Sequence, residues 1–426
     1  MTEKSGHVRC SLCGKTSNDE TVRLYQGLDN DFFVCYECAS NITADYRDEE
    51  MKLARKMEVP GTRRLTPASI KAYLDQYIVG QDKAKEIIST AVYNHRKLLR
   101  MKEDGTADTN VEKSCIILCG PTGSGKTYML KCIAHLLDVP FAMADATSIT
   151  ASGYVGSDPE IVLQRLLQDA DGDPARAEKG IVYIDEIDKI SRKGENLSTT
   201  ADPGHEEVQQ AFLKIIEGAV VDVPLKGTRK HPEAQAMKIN TENILFIVGG
   251  AFEDIDTIIA ERRRKGKSSI GFGSEPNAER NASYNDLILD IRMEDFRKFG
   301  MLPEFLGRLP VICPMEELTE EQLVQVLIEP KNALLRQYQE LFRADGVKLS
   351  ATEEALIEIA HMAIERKTGA RGLRGIMEDI LGHTMYELPD ICCERVEIAL
   401  VDGKPVARQV DETEKEQSDF LGVCLP

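Results

Sequence analysis

Short apolar, partly β-branched runs alternate with stretches of helical periodicity through the middle of the chain. Residues 115–118, 139–144, 181–184 and 244–248 read as buried strands. Residues 128–137, 161–168 and 208–216 follow the first three with apolar positions on one helical face. Such alternation predicts an α/β domain with a mostly parallel sheet and its ligand at the carboxyl ends of the strands. Upstream, Thr66 and Pro67 mark a helix start, with Ile70, Tyr73 and Leu74 on one face, and a second helix is expected over 82–99. Residues 102–113 and 191–205 are polar and read as loops. From residue 316 the pattern turns helical, over 320–342, 351–365 and 372–386, with a closing strand at 396–401. The expected organisation is a cysteine-bearing module at 1–50, a charged linker at 51–64, a large domain at 65–315, a small helical domain at 316–407 and an acidic tail at 408–426.

Composition narrows the function classes. A chain of 426 residues with 42% hydrophobic and 29% charged positions is that of a globular protein of two or three domains. No apolar run approaches the roughly 18 residues of a membrane span, and the first residues carry no apolar signal region or Arg-rich presequence. A cytoplasmic location and no membrane partner are expected. The net charge of −18 argues against nucleic-acid binding as the main activity. The 11 cysteines fit a reducing compartment, where disulfides are not expected.

Three stretches carry recognisable chemistry. Gly120, Pro121, Thr122, Gly123, Ser124, Gly125, Lys126 and Thr127 spell the phosphate-binding template G-x-x-x-x-G-K-[ST] between a strand and a helix. Glycines there let backbone N–H groups face phosphate oxygens, Lys126 suits the β and γ phosphates, and the Thr127 hydroxyl suits Mg²⁺. Asp185 and Glu186 end the apolar run I-V-Y-I. Asp185 is expected to hold Mg²⁺ through water and Glu186 to polarise the attacking water, so ATP hydrolysis is expected beyond binding. Cys10-x-x-Cys13 and Cys35-x-x-Cys38 form two knuckles that together fill a closed tetrahedral Zn²⁺ site. With no open coordination position the metal is structural, and the module is expected to fold around it and serve in docking.

Other stretches stay open on their residues alone. Ile78 and Val79 fit either an adenine pocket or plain core packing. Tyr154 and Val155, within G-Y-V-G, fit an ordinary turn. Arg229, Lys230 and His231 fit a solvated basic loop. Ile270, Gly271 and Phe272 follow five basic residues and one acidic residue at 261–267. They fit either a linker or an apolar loop that needs a partner.

Taken together, I-V-Y-I-D-E-I-D-K-I-S-R-K, G-Y-V-G, R-K-H, I-G-F, P-E-F-L-G-R-L-P, K-T-G-A-R-G-L-R and the four-cysteine module make the chain resemble the ClpX family of AAA+ unfoldases, from about Cys10 to Val401. The resemblance implies an AAA+ P-loop domain with a helical small domain and a small N-terminal zinc-binding domain. It further implies a homohexamer that uses ATP, Mg²⁺ and Zn²⁺ to unfold tagged proteins and pass them to the ClpP peptidase, with adaptor proteins on the zinc module. By the same resemblance Tyr154 and Val155 grip substrate in the axial pore, Arg229, Lys230 and His231 ring its entrance, and Ile270, Gly271 and Phe272 dock on the peptidase. Arg308 resembles the arginine finger that reaches a neighbouring subunit, Arg371 the sensor arginine of the small domain, and Ile78 and Val79 the adenine contacts. Pro203 to Glu207 departs from the family's second pore loop, and no polar sensor is evident after the strand at 244–248. The rival expectations are a remodeller without a peptidase and a zinc-dependent adaptor with a vestigial ATPase.

Overall fold

The computed structural model describes residues 9–15, 24–26, 33–36, 38–39, 65–106, 111–149, 159–191, 203–224, 236–267, 282–390 and 394–410. They fall into two compact units, Met1–Arg64 and Leu65–Pro426. In the first unit β1 (Leu24–Gln26) and β2 (Phe33–Cys35) form an antiparallel pair.

The second unit is built on a five-stranded sheet of β3 (Ile116–Cys119), β4 (Phe141–Asp145), β5 (Ile181–Asp185), β8 (Leu245–Gly250) and β9 (Val311–Pro314). Their spatial order is β4-β5-β8-β3-β9 and every pairing is parallel. Strand periodicity divides the side chains between two cores. Ile117, Cys119, Val182, Ile184, Phe246 and Val248 face one, with Phe212, Phe252, Phe296 and Phe305. Ile116, Leu118, Ile181, Tyr183, Leu245 and Ile247 face the other, with Ile70, Leu74, Ile88 and Met129. Burial on both faces explains why these strands read as unbroken apolar runs rather than as alternating ones.

Thr66 caps the helix Pro67–Leu74 and exchanges capping hydrogen bonds with Ser69. The helix Asp82–Glu103 outruns its expected end at residue 99 and takes up the start of the supposed 102–113 loop. A third core belongs to the C-terminal part, where Leu323, Tyr338, Phe342, Ile359, Ile376, Val396 and Ile398 pack together. There β10 (Lys348–Ala351) pairs in parallel with β11 (Arg395–Val401), and β11 pairs antiparallel with β12 (Lys404–Gln409).

Several expectations change. The single helix at 320–342 is two, Glu320–Ile328 and Leu334–Ala344, because Pro330 offers no N–H to continue the ladder. The helix read at 208–216 begins earlier, at Pro203, inside the supposed polar loop. The tail placed at 408–426 starts within β12, where Val410 N–H closes on the Arg395 carbonyl and Arg408 pairs with Glu397 at 2.8 Å. The antiparallel pair of β6 (Val220–Pro224) and β7 (Ala236–Asn240), and strands β10 and β12, carry too little alternation to stand out in sequence.

His95, on the buried side of the helix Asp82–Glu103, has neither ring nitrogen in a well-formed hydrogen bond. Burial pushes its pKa down to about 4, helped by Lys113 and Lys102 and opposed by the Asn243 backbone. The folded state therefore holds a neutral imidazole while the unfolded chain protonates near its ordinary value. Its contribution is complete above about pH 6.5 and is lost as pH falls toward 4, on the order of 3 kcal/mol in total. His95→Gln should flatten the acid side of the urea-denaturation midpoint measured between pH 4 and 7. An unchanged slope would count against a neutral, buried His95.

Candidate functional site: a phosphate-loop cavity and a four-cysteine cluster

At the carboxyl ends of β3, β4, β5 and β8 lies a cavity of about 710 Å³. Its walls come from the large domain (Tyr77, Ile78, Val79, Thr122 to Tyr128, Asp185, Glu186, Asp188) and from the small domain (Leu334, Gln337, Arg371, Arg374). The loop after β3 is tied down on both sides, by Gly120 N–H to the Gly250 carbonyl at 3.3 Å and Met315 N–H to the Cys119 carbonyl at 2.7 Å. Gly123 and Gly125 take φ of +82° and +96°, conformations that suit glycine, and the helix Lys126–Leu137 starts directly behind them. Helix N-terminus and inward-facing loop together make an anion cradle.

Lys126 is almost fully buried, and its ammonium donates to the Gly120 and Pro121 carbonyls at 2.6 and 2.9 Å. Burial lowers its pKa, with Asp185 and more distant groups pulling the other way. A buried ammonium held by carbonyls alone, with no carboxylate in contact, fits a polyanion as its partner. Asp185 is aimed by three donors: Tyr183 Oη at 2.9 Å, Glu186 N–H at 2.9 Å and Thr127 Oγ1 at 3.4 Å. One carboxylate beside one hydroxyl is the hard oxygen set that Mg²⁺ takes together with phosphate oxygens. Glu186 sits at φ +57°, a left-handed turn that breaks off from the strand. Desolvation raises its pKa, and the nearby charges of Asp145, Asp185 and Asp188 add to the shift. A raised pKa suits a group that accepts a proton from water.

The small domain reaches this loop through glycine. A Cβ on Gly123 would stand 2.4 Å from the Thr368 carbonyl oxygen, and one on Gly369 would stand 3.2 Å from that of Thr122. Immediately after Gly369 begins the helix Ala370–Glu387, which brings Arg371 to the cavity.

Residues 111–312 match the family model of the AAA domain (Cdc48 subfamily), and residues 318–389 match that of the C-terminal, D2-small domain, of ClpB protein. The chain is an AAA+ ATPase of the Clp/Hsp100 type. ATP and Mg²⁺ come with that chemistry, and AAA+ proteins of the Clp family generally form hexamers.

The structure thus brings most of the sequence-derived nucleotide residues of the ATPase to one cavity: Ile78, Val79, Thr122 to Thr127, Asp185, Glu186 and Arg371. Arg308 stands apart from it, half-exposed and paired with Glu217 at 2.9 Å. Tyr154, Val155, Arg229, Lys230, His231, Ile270, Gly271 and Phe272 lie outside the described residues. Sequence reasoning missed Asp188, Tyr128 and Asn332. Asp188 is buried, with Oδ1 unpartnered, and a Cβ on Gly250 would come within 2.4 Å of that oxygen. Its signal was the fourth letter of D-E-I-D. β8 ends in two glycines, and the space that side chains there would fill is taken by Tyr183 and Asp188.

In the N-terminal unit the ligand atoms of Cys10, Cys13, Cys35 and Cys38 all lie within 4.8 Å of one another. The Cys13, Cys35 and Leu12 backbone N–H groups help pull the Cys10 pKa down to about 6, while the hydrogen bonds that the Cys38 thiol donates to Cys13 and Cys35 push its own up to about 12. Four thiols this close resist full ionisation unless a dication shares their charge, which fits Zn²⁺. No helix among the described residues is long and apolar enough to cross a membrane. Elemental analysis of the purified chain should find about one zinc per protomer, and Cys38→Ser should lose it. A metal-free wild type would remove zinc from this cluster.

Proposed function

We propose that the chain is a ClpX-type unfoldase: a homohexameric ATPase that pulls tagged proteins through its central pore and hands them to the ClpP peptidase in the bacterial cytoplasm. The observation that carries the nucleotide part is the cavity itself, in which a phosphate loop, a strand-end carboxylate pair and a small-domain arginine converge.

In this reading the loop N–H groups and Lys126 hold the phosphates, and Thr127 and Asp185 hold Mg²⁺, which offsets the charge of the triphosphate. Glu186 orients the attacking water and takes its proton. Arg308 exchanges Glu217 for the γ-phosphate bound on the adjacent subunit and steadies the charge that develops there. Ile78 and Val79 contact adenine. Arg371, carried on the small domain, senses the γ-phosphate. Because Thr368 and Gly369 press on Gly123, a change at the phosphates turns one domain against the other as a rigid body. That rotation moves Tyr154 and Val155 along the pore. Arg229, Lys230 and His231 attract an acidic or carboxylate-ended tag, and Ile270, Gly271 and Phe272 enter apolar clefts on the peptidase. The zinc module receives adaptors.

Glu186→Gln should bind ATP as the wild type does and lower kcat by about 10²- to 10⁴-fold in a phosphate-release assay. Retained turnover would strip Glu186 of its role. Phe272→Ala should keep ATPase activity and unfold a tagged fluorescent substrate, yet stop its degradation when the peptidase is added. Undiminished degradation would favour a remodeller that works without this loop, and absent unfolding in the wild type would favour an adaptor.

A further inference from the structure

Tyr128 directly follows Thr127 in the first turn of the helix Lys126–Leu137 and lines the same cavity as Tyr77, Ile78 and Val79. The residue is 38% exposed, high for a large aromatic in the interior of a protein but ordinary for one that walls a cavity. Across from it runs the short link after Pro330 that separates the helices Glu320–Ile328 and Leu334–Ala344. This link is fastened: Lys331 N–H donates to the Gln76 carbonyl at 2.9 Å, and its ammonium lies 6.0 Å from the Tyr77 ring centre. From it the Asn332 side-chain amide donates to Tyr128 Oη at 2.6 Å.

That direction of donation matters. With Asn332 supplying the hydrogen, the Tyr128 oxygen acts as acceptor and its own O–H is left to donate to another partner. One turn along the helix the Cys132 sulfur takes that hydrogen, but sulfur is a weak acceptor that an alcohol oxygen outcompetes. Burial, reinforced by Cys132 and Tyr77, raises the pKa of Tyr128, so the donor persists through any working pH. Tyr128 lines the cavity together with Thr127 of the phosphate loop and with Tyr77 and Ile78, and the sugar of a bound nucleoside triphosphate is the part that would join its phosphates to its base there.

We propose that Tyr128, oriented by Asn332, reads the ribose of the nucleotide by donating its hydroxyl hydrogen to a sugar hydroxyl oxygen, which makes it a specificity-determining residue supplied jointly by the two domains. The inference rests on the reading of the cavity as the nucleotide site. It gives Tyr128–Asn332 a role in selecting ribonucleotides, separate from the phosphate chemistry of Lys126 and Glu186.

The test compares steady-state ATPase kinetics on ATP and hydrolysis of 2′,3′-dideoxy-ATP for the wild type, Tyr128→Phe, Asn332→Ala and the double variant. Phenylalanine keeps the ring, and a thermal melt checks that the variants are folded. One neutral hydrogen bond corresponds to about a three- to tenfold change. Tyr128→Phe should therefore raise the KM for ATP about three- to tenfold with kcat held within about twofold, and should erase the wild-type preference for ATP over the dideoxy analogue. Asn332→Ala should raise KM in the wild-type background and add nothing in the Tyr128→Phe background, a coupling that mere packing would not give. The proposal is overturned if Tyr128→Phe moves KM by less than about twofold or leaves the sugar preference intact. Lys126→Ala, followed with a fluorescent ATP analogue, separates the two levels. Undiminished binding there refutes the nucleotide reading of the cavity, whereas lost binding beside an unmoved Tyr128→Phe refutes only the sugar contact.

Discussion

The close approach of Gly123 to Thr368 and Gly369 is the constraint on which the rest of the ATPase depends. Two backbones meet there with no side chain between them, at a separation that any Cβ on Gly123 would violate. The phosphate loop and the first turn of the Arg371 helix are therefore parts of one surface, though they belong to different domains and lie far apart in sequence. Other ties hold the domains at this setting. Gln81, itself at φ +60°, exchanges two hydrogen bonds with the Glu316 backbone at 2.7 and 2.9 Å, and the Lys331 link grips Gln76. Directional hydrogen bonds and close glycine contacts, Gly123 with Thr368 and Gly80 with Gln322, join the two bodies, and the small domain keeps its own hydrophobic cluster. Such a joint can pivot without exposing much apolar surface.

Electrostatics at the cavity is arranged as a standing imbalance. Asp145, Asp185, Glu186 and Asp188 converge from two neighbouring strand ends, and Glu186 and Asp188 are both raised in pKa, chiefly by desolvation. Lys126 faces them from the loop without touching any of them. Carboxylates on one side and ammonium with loop amides on the other leave room for a dication beside the first and a polyanion beside the second. Neither half is at its best alone, which is a usual trait of sites built for charged ligands.

Much of this was legible in the chain, because the physics that shapes it is local. The β3 and β5 strands announced themselves by unbroken apolar runs, and the phosphate loop by glycines whose positive φ no other residue takes as readily. Thr66 and Pro67 fixed a helix start by capping chemistry alone. What stayed hidden depends on partners distant in sequence. Pro330 breaks a helix that otherwise has the right periodicity over 320–342, and only the docking of Lys331 on Gln76 shows why the break is needed. β12 is half-exposed and charged, and is a strand only because β11 lies beside it. Asp188 and Tyr128 looked like neighbours of motif residues, and the contacts that distinguish them, with Gly250 and Asn332, join segments about 60 and 200 positions away in the chain.

The Gly249–Gly250 end of β8 carries a consequence of its own. This strand supplies no functional group, yet a methyl on Gly249 would meet the Tyr183 hydroxyl at 2.3 Å, and that hydroxyl steers Asp185. What β8 contributes is vacancy: Tyr183 and Asp188 have somewhere to stand because two successive positions carry no side chain. Among descendants of this gene, the chemically silent dipeptide should drift as little as the acids it accommodates, so evolutionary constancy there would record shape rather than reactivity.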